Sequence, residues 1–302
     1  MRRVTMPKPI IGFIGFGEAA YLISKGLKSE GIEKQFAYDV NANHATFGAK
    51  IHEHIKQNGT TLTHSLDELC KQSDVIFCAT SAKVAESIAK DVKQFLTSKH
   101  FYIDINASSP MAQEKIARYI AESHAKFVDA AVMESVPLNK HKAPMFLSGN
   151  GAKEFQTLGS MYGMNLKFIS EIPGRSSAIK MFRSIFMKGI TSLLFETLQA
   201  SDKYDVSELV MASLNTSMTQ KSLEDTANML ITRTAIHSER RVAEMSEVIK
   251  TLDMLNIDST LSKAIKLKLQ SVTNSGIKER LNNEVPEDYN AVLKVLRSNE
   301  TV

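Results

Sequence analysis

Ile10-Ile11-Gly12-Phe13-Ile14-Gly15-Phe16-Gly17-Glu18-Ala19-Ala20-Tyr21-Leu22-Ile23 reads as a buried strand, a glycine turn and the start of a helix. Within it, Gly15-x-Gly17-x-x-Ala20 has the spacing of a dinucleotide turn. The first glycine makes the tight turn, the second lets backbone approach a pyrophosphate, and the small third residue keeps helix and strand close. Three small residues recur by chance, so the flanks decide. The next apolar run, Phe36-Ala37-Tyr38, ends at Asp39, where an acidic residue is expected to grip a ribose hydroxyl pair. A carboxylate there accepts from a 2′-hydroxyl and repels a 2′-phosphate, which favours NAD over NADP.

The 302 residues are 43% hydrophobic with a formal net charge of +4, an ordinary globular balance that does not indicate nucleic acid or an anionic membrane. No stretch approaches 18 uninterrupted apolar residues, so no membrane span is expected. Met1-Arg2-Arg3 before a short apolar run imitates an export signal, but the glycines and Glu18 make that run a strand, and a cytoplasmic protein is expected. Cys70 and Cys78 lack metal-type spacing and read as reduced core thiols.

Further strands are expected at 74–79, 101–105, 126–132 and 145–149, alternating with helices, one of them over 43–57. His52 and His54, two positions apart on that helix, point in different directions and read as solvated side chains. Pro110 is expected to open a helix. The pattern predicts an α/β, Rossmann-type doubly wound parallel sheet over residues 1–173. All but two of the 14 glycines lie at or before Gly174, and no proline falls between Pro173 and Pro286, so residues 174–302 are expected to form an all-helical domain for substrate or dimerisation. Ser176 or Ser177 is expected to cap a long helix reaching about Lys203.

Cofactor contacts are expected from Gly15, Phe16, Gly17, Glu18, Ala19, Asp39, Ala79, Thr80 and Asn106, in the glycine turn and at strand ends. At the domain junction, Lys180, Ser184, Met187 and Lys188 share a helical face with Arg183 at its edge. Neighbouring cations and partial burial would both lower the Lys180 pKa, as a base working near neutral pH requires. Asp104 and Asp129 read as structural polar residues at strand ends, and Arg233, His237 and Arg240 as a solvated stripe.

The glycine turn, Asp104-x-Asn106-Ala107-x-Ser109-Pro110, Val128-Asp129-Ala130-Ala131-Val132 and Gly174 through Lys180 together resemble the β-hydroxyacid dehydrogenase and 6-phosphogluconate dehydrogenase superfamily. The second half is similar to the helical C-terminal domain of a little-characterised branch, through Arg175 to Met181 and Arg233 to Arg241. The resemblance implies nicotinamide-dependent oxidation of a small, anionic hydroxy acid, with Lys180 at the position of the general acid/base and decarboxylation as a possible sequel. It places Ala107, Ser108, Met133, Glu134, Ser135, Arg183, Ser184 and Lys188 toward substrate. The chain departs from the family at several of these: Met133-Glu134-Ser135 stands for Ser-Gly-Gly, Ser184 for asparagine, and Asn106-Ala107 for serine and threonine. An imine or keto-acid reductase on the same scaffold, or a non-catalytic dinucleotide-binding protein, is the alternative. Long apolar helices make a homodimer the expected assembly, with no metal, nucleic acid or membrane partner.

Overall fold

Strand β1 (Ile11–Ile14) is buried throughout, with Ile11 and Phe13 in one apolar cluster and Ile14 in another. Side chains alternate in any strand, and both sides are apolar only where helices cover both faces of the sheet. The computed structural model, which describes residues 8–297, contains that sheet. Its strands are β1, β2 (Gln35–Tyr38), β3 (Thr61–Leu62), β4 (Val75–Cys78), β5 (Phe101–Asp104), β6 (Lys126–Val132), β7 (Met145–Ser148) and β8 (Leu166–Ser170), in spatial order β3-β2-β1-β4-β5-β6-β7-β8. Every neighbouring pair is parallel except β6 with β7.

The alternation continues across the sheet. Phe77 and Ile103 join the cluster of Phe13, while Ile76, Cys78 and Tyr102 join that of Ile14. Phe13 stacks on Phe77 with ring centroids 5.4 Å apart. Covering helices are α1 (Glu18–Ser29), α2 (Gly48–Asn58), α3 (Leu66–Gln72), α4 (Ala85–Val92), α5 (Pro110–Ala121), the short α6 (Val136–Asn139) and α7 (Ala152–Ser160). Helix α5 begins at Pro110, and the Ser109 hydroxyl accepts from the Ala112 N–H at 3.2 Å. Burial pushes the Cys78 thiol up to about 12, in keeping with an inert core thiol.

The remainder is helical: α8 (Arg175–Asp202), α9 (Ser207–Thr219), α10 (Leu223–Met254), α11 (Thr260–Asn274), α12 (Ile277–Arg280) and α13 (Tyr289–Arg297). Two compact units divide inside α8, one running through Ile185 and the other starting at Phe186. The expected boundary at 173/174 is the start of that helix. In the second unit, Ala235, Ile277 and Val292 form a small core. Helix α10 is kinked at His237 (φ −117°, ψ 23°), without a proline or glycine to cause it. Ser238 follows, buried, and accepts from the Thr273 hydroxyl at 2.9 Å.

Three local expectations need correction. The helix expected from residue 43 begins at Gly48, because Asp39 and Asn41 accept backbone N–H groups and hold residues 40–47 in turns. His54 is buried, not solvated, and stacks on Tyr21 at 4.2 Å. Ser176 and Ser177 lie inside α8, and their hydroxyls reach across to β6 instead of capping the helix.

Candidate active site

The strand order runs outward from β1 in both directions, through β2 to β3 and through β4 to β5. Open α/β sheets hold ligands in the crevice at such a switch point, outside the carboxyl ends of the strands. The glycine turn lies there. Gly15 has φ +82°, and a Cβ on it would stand 2.6 Å from the Ala79 carbonyl oxygen and 2.7 Å from Thr80 Cγ2. It is held against β4 and accepts only glycine. A Cβ on Gly17 would meet nothing within 4 Å. Gly17, Glu18 and Ala19 are exposed, and no side chain caps α1, so its first-turn N–H groups face open space as pyrophosphate binding requires. Ala20 is buried between helix and strand.

Phe16 serves the turn differently from the other residues. Its ring is buried edge-on to Phe13, and its N–H donates to Asp39 Oδ2 at 2.8 Å. Asp39 Oδ1 accepts from the Asn41 N–H, also at 2.8 Å. Each oxygen keeps a lone pair for a ribose hydroxyl, so Asp39 can both shape the turn and meet a nucleotide. At the ends of β4 and β5, Asn106 Oδ1 accepts from the Thr80 N–H at 2.8 Å, and Asn106 Nδ2 donates to the Cys78 carbonyl at 3.3 Å. Asn106 therefore ties two strand ends together beneath the crevice. Ala79 is half-buried and the Thr80 side is exposed. These residues fit a dinucleotide lying across β2, β1, β4 and β5.

Ala107 is exposed beyond β5, whereas Ser108 is buried with its Oγ unpartnered among the described residues. Met133, Glu134 and Ser135 follow β6 at the same sheet edge, with Glu134 and Ser135 exposed. Gly174 (φ +85°) brings the start of α8 against this edge: a Cβ there would stand 2.8 Å from the Pro110 carbonyl oxygen. The first turn of α8 is anchored to the sheet. Ser176 Oγ donates to the Asp129 carbonyl at 2.8 Å, and Ser177 donates to the Asp129 carboxylate from Oγ at 2.7 Å and from its N–H at 3.2 Å. Ser148 Oγ on β7 donates to the same carboxylate at 3.1 Å.

One turn on, Lys180 is half-buried. Burial lowers its pKa, and the negative charge of Asp129 opposes the fall. The expected contribution of neighbouring cations is absent from those causes; desolvation does the lowering. Ser184 Oγ donates to the Lys180 carbonyl at 2.9 Å, which leaves it acceptor capacity only toward a ligand. Arg183 is exposed on the first unit, and Lys188 is exposed on the second. Sequence reasoning missed how Asp129, Ser148, Ser176 and Ser177 combine, since their bonds join residues up to 48 positions apart.

A doubly wound sheet with an open glycine turn at its switch point and an acidic residue ending the second strand defines a nicotinamide-dinucleotide-binding protein on the dehydrogenase/reductase scaffold. Residues 10–161 match the NAD binding domain of 6-phosphogluconate dehydrogenase, and the chain belongs to that family. Residues 201–272 match a domain of unknown function, DUF1932. The chain is 28% identical over 256 residues to an uncharacterised 28.5 kDa protein of Methanothermus fervidus, covering 85% of this chain and 96% of the relative. A solved conserved protein of unknown function, described as structurally similar to 3-hydroxyacid dehydrogenases, is 30% identical with a TM-score of 0.61, covering 87% of this chain and 96% of that one. An imine reductase from Aspergillus terreus, solved with NADPH4 and dibenz[c,e]azepine, gives a TM-score of 0.71 at 10% identity, covering 90% and 95% of the two chains. That last likeness is one of fold. Among the described residues, no helix is long and apolar enough to cross a membrane.

Proposed function

We propose that the protein is a cytoplasmic, homodimeric dehydrogenase that uses NAD in preference to NADP, acts on a small anionic hydroxy acid, and has Lys180 as its general acid/base. The observation that carries this is Lys180 itself, half-buried on α8, with its pKa lowered by desolvation and its helix anchored to β6. A lysine in that state is available as a neutral base closer to neutral pH than a solvated one.

A nicotinamide dinucleotide held by the glycine turn and Asp39 would supply the hydride acceptor for the carbon bearing the substrate hydroxyl. Lys180 Nζ takes the hydroxyl proton, and Arg183 or Lys188 pairs with the substrate's carboxylate or phosphate. Ala107, Ser108, Met133, Glu134 and Ser135 line the substrate side, with Ser108 Oγ, unpartnered among the described residues, offering a hydrogen bond. A carboxylate β to the new carbonyl would leave as carbon dioxide, with Lys180 returning its proton to carbon. Asp39 supports the NAD preference, since it is the group at the ribose position and no cation lies in Val40-Asn41-Ala42-Asn43.

A second reading, reduction of an imine or keto acid, is favoured by the exposed Glu134 where the family carries a Ser-Gly-Gly turn. A carboxylate there suits a cationic iminium substrate. One assay separates the readings: NAD or NADP is incubated with hydroxy acids, sugar acids and their keto or imine partners, and the reduced nicotinamide absorbance is followed. Lys180→Ala is expected to abolish turnover with cofactor affinity unchanged. Full activity in that variant refutes the role of Lys180, and no turnover with any pair leaves a binding protein.

A further inference from the structure

Asp129, expected at a strand end, lies in the middle of β6 and has an environment that a merely structural polar residue does not need. It is 1% exposed, and its carboxylate accepts three hydrogen bonds, from the Ser148 hydroxyl, the Ser177 hydroxyl and the Ser177 N–H. Burial raises the Asp129 pKa, and the three donors and the positive end of a 28-residue helix oppose that rise by stabilising the charged form. Lys180 follows Ser177 by three positions, so the two share a helix face, and a long helical side chain leans back toward the N-terminus. Asp129, bonded to Ser177 on that face, is close enough for its charge to act on Lys180. Asp104, paired in register with Asp129 across β5 and β6, acts on Asp129, and Arg175 and Arg183 are exposed on α8 itself.

We propose that Asp129 is the positioning residue of the site: its ionised carboxylate both anchors the α8 turn that carries Lys180 and acts as the buried counter-charge that sets the protonation of Lys180. This rests on the reading of Lys180 as acid/base for its functional meaning, but the pairing itself is a physical property of the two side chains. Burial alone would favour the neutral amine, and the Asp129 anion favours the ammonium. The balance keeps the amine exchangeable between both forms, which a group that takes a proton in one direction of a reaction and returns it in the other requires.

The test uses the full-length protein and two variants, neither read through turnover. Pulse acetylation with acetic anhydride, followed by peptide mass spectrometry across pH, reports the neutral fraction of each lysine. In Asp129→Asn, Lys180 is expected to label roughly threefold faster or more below the wild-type midpoint, because the neutral amine gains when the anion is lost, while the exposed Lys71 is unchanged. An unaltered Lys180 profile in folded Asp129→Asn overturns the proposal. Lys180→Met removes the charge at a half-exposed helix position, which preserves the fold, and gives the reciprocal measurement should Asp129→Asn fail to fold. Carboxyl resonances of carbon-13 aspartate, assigned through backbone connectivity, are expected to show Asp129 titrating at higher pH in Lys180→Met than in wild type. An unmoved Asp129 midpoint overturns the pairing. A Lys180→Ala enzyme with full turnover would remove the catalytic reading and leave these two results untouched.

Discussion

Gly15 and Gly17 sit two residues apart in one turn, yet the structure assigns them opposite sensitivities to an added methyl group. At Gly15 (φ +82°) an alanine meets the left-handed backbone cost of roughly 1–2 kcal/mol. Its Cβ would also lie 2.6 Å from the Ala79 carbonyl oxygen, part of the backbone after β4, which cannot swing aside as a side chain can. Overpacking of that kind adds roughly 1–3 kcal/mol. Gly15→Ala is therefore expected to lower stability by roughly 2–5 kcal/mol. Gly17 (φ −71°, ψ −169°) lies in extended backbone that alanine adopts freely, with nothing within 4 Å of its Cβ. Gly17→Ala is expected to leave stability unchanged or raise it by about 0.4–1 kcal/mol through the unfolded chain. Its methyl group occupies the space a pyrophosphate would approach, so dinucleotide affinity should fall about tenfold or more, equivalent to about 1.4 kcal/mol. Urea unfolding by circular dichroism measures the first quantity, and calorimetric titration with NAD and NADP the second. Wild-type affinity in Gly17→Ala would remove the pyrophosphate from this turn; wild-type stability in Gly15→Ala would refute the steric argument.

Asp39→Asn should weaken NAD binding by about tenfold and narrow its advantage over NADP, because both the ribose contact and the tie to the Phe16 N–H lose their charge; a wild-type protein that binds NADP as tightly as NAD overturns that role. Burial raises the Asp104 pKa to about 7, well above its unfolded value, so the folded state holds an extra proton between about pH 4 and 7 and stability falls as pH rises through that window. Asp104→Asn cannot lose that proton, and its stability relative to wild type should rise by roughly 2–3 kcal/mol between pH 5 and pH 8 in urea unfolding, with a pH-independent difference as the refuting result. Phe195 and Leu209 of the second unit are 68% and 73% exposed, an arrangement suited to a second copy. Light scattering should find a dimer that Phe195→Glu dissociates, and a wild-type monomer would refute it.

The doubly wound half was legible because its central strands are uninterrupted apolar runs, and only burial on both faces permits those. Strand β3 has two residues and β8 is largely half-exposed, so neither left such a run. The glycine turn, Asp39 and the strand-end residues come together at the ends of β1, β2, β4 and β5 because their spacing follows from the fold. What local pattern could not reveal was where polar side chains spend their hydrogen bonds. Ser176 and Ser177 have the composition of a helix cap, yet their partners are on β6 and β7. His54 is polar on an amphipathic helix, but the Tyr21 ring gives it a stacking surface that sequence spacing does not show. The bend at His237 carries no proline or glycine signal at all.

Asn106 stands where the family commonly has serine, and its carboxamide spans from β5 to the end of β4. A serine hydroxyl offers one rotating donor; the carboxamide offers an acceptor and donors on a rigid plane, and both are engaged with neighbouring backbone and sulfur. The floor of the crevice is thus set before any ligand arrives. A dinucleotide settling there loses little free energy to ordering the protein beneath it, so selectivity among ligands falls to the rim, where Val40, Glu134 and Ser135 are exposed.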